Sequence, residues 1–480
     1  MIRKEETDIG LKIFTVRKEQ IPVVFFRFVL MSGSADDPQG KEGLASFMAN
    51  LMRRGTATYS RSEIEEMLDF IASDLWIHCQ KDITVFGGRV LVDNLAKFYS
   101  VFSEMLLKPS FPEEEIEKLK VDQIDDIEFI RQNDEALVRE AFSNFLYQCH
   151  PYGHLDAGRI ATVKSFTRDH VLNFYEKHFR RGNLLIGLGG DIPDSLIARI
   201  REDFAGLPAV DMARKRTQVE KPERKKVLVI EKEGRAQTQL RIGHPITVTR
   251  KDPDYHGLLI ANNYLGKHRV SIGRLYNKIR EKRGLSYGAY SYIEHFLGSS
   301  GPIKLPRPTL ARREQYFAMW TYPKNENAKF VIKLVLKEME DLVREGIDDQ
   351  RLQEAKNYTI NNFPFEVETP DRKLGMLLDD EIYGSKDFVE NFEENVRKVT
   401  SEDIREVVRK HLYPDRVAIA VLVSDGQKFI DEMLSPETNV EYPSGVDPAA
   451  LENEDRVIER FDLGLEREDF QIVRSSDLFQ

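Results

Sequence analysis

Two stretches of this chain, 233 positions apart, repeat one pattern: Thr167 to His178 reads TRDHVLNFYEKH and Thr400 to His411 reads TSEDIREVVRKH. Each puts threonine where a helix N-cap belongs, acids in the first turn and apolar residues along one helical face. A strand-like apolar run follows each, Leu184 to Leu188 and Val417 to Val423. The starts of the halves correspond too, KIFTVRKE from Lys12 and KVLVIEKE from Lys226. Between these landmarks, helices beginning near Phe98 and Phe330 pass through short breaks, KPSFPEEE from Lys108 and REGIDDQR from Arg344, into a second charged helix. Four landmarks in the same order imply a duplicated α+β unit of about 210 residues. Whatever one half folds into, the other must fold into as well.

That repeat divides the 480 residues into a first unit over 1–208, a linker over 209–226, a second unit over 227–434 and an acidic, turn-rich extension over 435–480. The linker reads as exposed because it is rich in Lys, Arg and Glu, with Pro208 just before it and Pro222 within it. The extension ends in FQIVRSSDLF, whose apolar residues offer a means of packing back on the body. With 41% apolar residues the chain can bury large cores. Its 70 Lys+Arg against 80 Asp+Glu are spread through the chain, so no basic patch marks it for nucleic acid. No run of about 18 apolar residues marks a transmembrane segment, and the N-terminus lacks the apolar stretch of a signal peptide. The compartment stays open: cytoplasmic as the sequence stands, periplasmic if a signal peptide has been removed. Cys79 and Cys149 are too few for a disulfide framework and lack zinc-site spacing.

The segment Gly33 to Thr56, GSADDPQGKEGLASFMANLMRRGT, resembles the active-site helix of the insulinase/pitrilysin superfamily of zinc metallopeptidases. That helix typically carries H-x-x-E-H, in which two histidines at i and i+4 grip zinc and the glutamate acts as general base. Here the histidine positions are Ser46 and Asn50, and the glutamate position is Ala49. The family's third ligand, a glutamate on a later helix, aligns with Asp126. A serine, an asparagine and one shortened carboxylate cannot replace two imidazoles and a glutamate, so these degenerate positions are expected to bind no metal. His150 and His154 are four apart, but Pro151 and Gly153 between them argue against a helix and for loop histidines satisfied by backbone groups.

The second half keeps more of the family's pattern. Gly273 to Tyr287, GRLYNKIREKRGLSY, resembles the S-R-L-x-x-x-I-R-E-x-x-G-L-x-Y segment, whose arginine and tyrosine reach into the cleft and hold substrate. They fall on Arg280 and Tyr287. A guanidinium can donate to peptide carbonyls, and a phenol to the oxyanion that forms when water attacks. The neighbouring Arg283 is expected at the surface. A Gly- and Pro-containing stretch, Glu294 to Arg312, reads as an insertion beyond the family's hairpin.

The resemblance covers about Gly10 to Val423. It implies an α+β fold of two homologous halves, each an antiparallel-rich sheet covered by helices on one face, like the two-chain processing peptidases. It further implies a non-catalytic, substrate-binding subunit of a heterodimeric, bacterial-type zinc metalloendopeptidase. In that arrangement this chain holds no cofactor, the zinc belongs to a homologous partner bearing the intact motif, and Arg280 and Tyr287 bind peptide at the partner's site. The alternative is a structural or scaffold protein of the same fold without a proteolytic role. A third reading, a hydrolase rebuilt around Ser46, lacks a histidine in the same helix to activate the hydroxyl.

Overall fold

The computed structural model describes every residue except 1, 8, 19, 21, 210–218, 268–270 and 295–310. Half of the expected linker and nearly all of the expected 294–312 insertion therefore lie outside the described residues. The first half forms a six-stranded sheet from β1 (Ile2–Glu6), β2 (Lys12–Arg17), β3 (Val23–Leu30), β4 (Asp74–Cys79), β5 (Thr84–Leu91) and β6 (Leu184–Gly190), in the order β1-β2-β6-β3-β5-β4. The second half repeats it with β7 (Lys226–Glu231), β8 (Gln239–Ile246), β9 (Ala289–Tyr292), β10 (Gln315–Thr321), β11 (Ala418–Val423) and β12 (Phe470–Arg474), in the order β12-β7-β11-β8-β10-β9.

The registers show how exact the duplication is. Lys12 pairs with Leu185 in the parallel β2–β6 ladder, and the residues 214 and 233 positions further on, Lys226 and Ala418, pair in the parallel β7–β11 ladder. Both repeated helices begin in a capping box: the Thr167 hydroxyl accepts the His170 N–H and the Thr400 hydroxyl accepts that of Asp403. The α+β class and the two homologous halves expected from the sequence are what the chain adopts.

Helices cover one face of each sheet, and the opposite face is closed by a helix from the other half. Leu137, Val138, Ala141 and Phe142 of the helix Asp134–Tyr147 join the core cluster that includes Leu228, Tyr316, Ala418, Ala420 and Leu422 of the second sheet. Reciprocally, Leu374 and Leu378 of the helix Pro370–Tyr383 pack with Phe14, Val16, Val29, Val85 and Leu185 of the first sheet. Gly187 on β6 permits that approach, since a Cβ there would lie 2.9 Å from Leu378 and 3.1 Å from Leu374.

A pair of arginine clamps follows the same symmetry. Arg27, opposite Gly187 in the sheet, donates from Nε and Nη2 to the Asp371 carboxylate at 2.7 Å each. Its repeat partner Arg241, opposite Ala420, lies 3.7 Å from Glu135. Each guanidinium also lies over one of the chain's two tryptophans, Arg27 over Trp76 at 5.3 Å and Arg241 over Trp320 at 5.7 Å.

The C-terminal extension packs on both halves. β12 adds parallel to β7, on the sheet edge that β1 takes beside β2. Asp469 pairs with Arg224 at 2.6 Å and Lys226 at 3.0 Å. Beyond it Phe479 is buried in the first half's core, where its carbonyl accepts the Ile160 N–H at 3.2 Å. No helix among the described residues is long and apolar enough to cross a membrane.

Candidate functional site: a degenerate zinc helix and an arginine–tyrosine pair

The helix Leu44–Met52 carries the degenerate motif. Its N-cap, Gly43, has φ +95°, and a Cβ there would meet the Ala157 carbonyl at 2.4 Å, so both conformation and space require glycine. The helix start is capped from a distance: the Asp37 carboxylate accepts the N–H groups of Gly43 and Ala45, each at 2.7 Å. Burial pushes Asp37 well above the usual carboxylate range, against the pull of those two N–H groups and Lys81. Gln123 of the helix Glu113–Gln132 then ties the cap to the following loop, donating to the carbonyls of Gly43 at 3.3 Å and Ala157 at 2.7 Å. Near the other end Arg54 bridges to Glu115 at 3.5 Å and Asp122 at 2.5 Å. The helix is thus capped at its start and braced near its end.

The donors on it are another matter. Ser46 is half-buried, Ala49 is fully buried in the core, and Asn50 is exposed with its amide donating to the Ser46 carbonyl at 3.0 Å. Asp126 is exposed on the helix Glu113–Gln132; partial burial, with Asp122 and Asp125 nearby, raises its carboxyl above the ordinary value. One such carboxylate with a hydroxyl, an amide and a methyl group does not fit zinc, which takes imidazole, thiolate and ionised carboxylate ligands. Among the described residues no group of three or more His, Cys, Asp or Glu side chains is placed to hold a metal ion.

The loop histidines serve the backbone. His150 Nδ1 accepts the Tyr152 N–H at 3.1 Å, and His154 Nδ1 lies 2.8 Å from the Leu155 carbonyl. Burial, with the Lys81 charge, lowers His154 to about 4, so it is neutral near pH 7. Lys81 and Ser34 both reach Asp156, at 2.9 and 2.5 Å, fastening this loop to the segment that leads into the motif helix.

In the second half Arg280 lies on a short π-helical turn, Tyr276–Glu281, and Tyr287 on the irregular stretch before β9. The fold brings the two together: the Arg280 guanidinium is 3.9 Å from the centroid of the Tyr287 ring, which is 66% exposed. The same guanidinium lies 4.9 Å from the ring of Tyr276. Ser286 sets the local path by donating to the Gly288 carbonyl at 2.9 Å and accepting the Tyr322 N–H at 3.2 Å.

Arg283, expected at the surface, is instead the largest fully buried side chain among the described residues. It donates to Asp455 at 2.8 and 3.0 Å, to Glu454 at 2.9 Å and to the Lys278 carbonyl at 2.9 Å. The acids come from the helix Glu452–Glu459 of the C-terminal extension, some 170 residues away in sequence, and nothing near Arg283 in the chain signals them. Burial opposes ionisation of Glu454, but Lys278 and Arg283 pull it down to about 2. The turn that presents Arg280 is therefore anchored from behind by the extension.

Residues 12–155 match the insulinase domain (peptidase family M16), and residues 165–359 match the peptidase M16 inactive domain. The chain belongs to the insulinase/pitrilysin superfamily. It is 22% identical over 428 residues, 89% of this chain and 99% of the relative, to an uncharacterized zinc protease of Bacillus subtilis. Its fold is that of a Pseudomonas fluorescens structure described as a peptidase M16 inactive domain, with a TM-score of 0.78 at 24% identity over 88% of this chain and 97% of the other. A protease from Helicobacter pylori superposes with a TM-score of 0.76 at 17% identity, over 88% and 99% of the two chains.

Proposed function

We propose that this chain is the non-catalytic, substrate-binding subunit of a heterodimeric zinc metalloendopeptidase, in which a homologous partner with an intact H-x-x-E-H motif supplies the zinc. The observation that carries the reading is a contrast within one molecule. The helix that would hold metal keeps its cap and supports but has Ser46, Ala49 and Asn50 at the three chemical positions. The Arg280–Tyr287 pair is assembled, with the tyrosine exposed. In the complex Arg280 donates to carbonyl oxygens of the peptide, and the Tyr287 hydroxyl donates to the oxyanion formed at the scissile carbonyl.

The test is reconstitution. The chain alone is expected to be metal-free by mass spectrometry and inactive, and co-expression with the zinc-motif homologue to yield a complex with one zinc and peptidase activity. In that complex Arg280→Ala combined with Tyr287→Phe is expected to lower kcat/KM about tenfold, ~1.4 kcal/mol of transition-state binding. Normal cleavage by the double variant overturns the site assignment. A stable complex without any peptidase activity would support the scaffold alternative.

A further inference from the structure

Arg280 touches two rings, and the reading above uses only one of them. Its guanidinium lies against both Tyr287 and Tyr276, while its one ion pair among the described residues, Nε to Glu281 at 3.8 Å, is beyond hydrogen-bond distance. No acceptor among the described residues takes a hydrogen bond from its N–H groups, so the two rings and that long ion pair are what hold it. The turn bearing Tyr276 and Arg280 is pinned in its widened form by the Lys282 N–H, which donates to the Asn277 carbonyl at 2.9 Å, and by Arg283 behind it. A long, flexible side chain held by one exposed ring can swing away from it; a second ring, on the rigid turn itself, restricts that swing.

We propose that Tyr276 is a positioning residue. Its ring, together with that of Tyr287, fixes the plane of the Arg280 guanidinium, so that an N–H fork already oriented for an oxygen acceptor meets the peptide backbone. This rests on the two-chain reading for its consequence in catalysis, and on the geometry alone for the hold on Arg280. Stacking on a half-exposed guanidinium changes a binding constant by about two- to fivefold, which sets the size of the effect.

Two measurements test it. In the reconstituted complex, with an internally quenched peptide that the wild-type complex cleaves, Tyr276→Ala is expected to raise KM about fivefold with kcat changed less than about twofold. Tyr276→Phe, which keeps the ring and loses the hydroxyl, should restore most of that loss. In an Arg280→Ala background Tyr276→Ala should add nothing. Where Arg280→Ala itself raises KM, an unchanged KM in Tyr276→Ala, or a loss that persists undiminished without Arg280, overturns the proposal. In the chain alone, nitrogen-15 exchange measurements on Arg280 should show rotation about Nε–Cζ faster by about threefold in Tyr276→Ala and unaltered in Tyr276→Phe. An unaltered rate in Tyr276→Ala sinks the proposal whatever the complex does. A complex in which Arg280→Ala is silent would overturn the two-chain reading, leaving the rotation rate to decide the role of Tyr276.

Discussion

Arg283 carries a full charge with none of its side chain exposed, and its guanidinium donates to two carboxylates and a carbonyl while lying 5.9 Å from the centroid of the Phe330 ring. Burying a guanidinium is tolerable only under such complete pairing. Removing it leaves Asp455, itself buried, without its cation and opens a space beneath the π-helical turn. Arg283→Ala should therefore destabilise the protein by about 3–5 kcal/mol, read as a lowered urea midpoint at pH 7. Because Glu454 is held at about 2 against an ordinary 4.5, its share of this stability is complete above pH 4.5 and fades as pH falls toward 2. A variant whose midpoint matches wild type at pH 7 would contradict this account. At the same scale Arg280 shows how two neighbouring arginines diverge. Three positions apart, one is sealed by acids from the extension and the other lies against the rings of Tyr276 and Tyr287 with a long ion pair to Glu281.

At the scale of elements, the helices Asp134–Tyr147 and Pro370–Tyr383 serve the sheet of the other half. The Arg27–Asp371 pair secures one of these crossings, with the arginine largely buried and the aspartate about a third exposed. Asp371→Ala should cost about 2 kcal/mol, less than a fully buried pair because water reaches the carboxylate. The check is equilibrium unfolding; a loss within experimental error would mean that apolar packing alone holds the crossing. The exchange had a trace in the sequence. KIFTV, LLIGL and VAIAVLV are near-continuous apolar runs rather than alternating ones, which is how a strand buried on both faces reads. Those runs state that a second cover exists, but not which helix provides it, because both repeats offer amphipathic helices of the same type. Caps were plainer: Thr167 and Thr400 both cap the helices that their positions predict.

For the whole molecule, reciprocal exchange makes each half incomplete without the other. Residues 1–208 expressed alone would carry the helix Asp134–Tyr147 with its apolar face uncovered, and a sheet lacking Leu374 and Leu378 across Phe14, Val16 and Leu185. Such a fragment should aggregate or bind hydrophobic dyes, and the intact chain should unfold in one calorimetric transition rather than two. Two separated transitions, or a soluble fragment with native near-UV circular dichroism, would show that the halves fold independently. The extension adds a third tie by placing β12 on the second sheet and Phe479 in the first core.

The sequence by itself determined the duplication, the repeated helix and strand landmarks and the family, since each depends on residue type at short or regular spacing. Repeats, caps, apolar periodicity and a ligand motif on one helix are all local patterns. Only the tertiary structure decided that Arg283 is buried, that the extension anchors the turn bearing Arg280, that Tyr276 and Tyr287 both lie against that guanidinium, and that the halves exchange helices. Each of these depends on contacts between segments or on the conformation of an irregular turn. For the long-range ones, a charge or an apolar face states what it needs, while only the fold selects which of many equivalent partners supplies it.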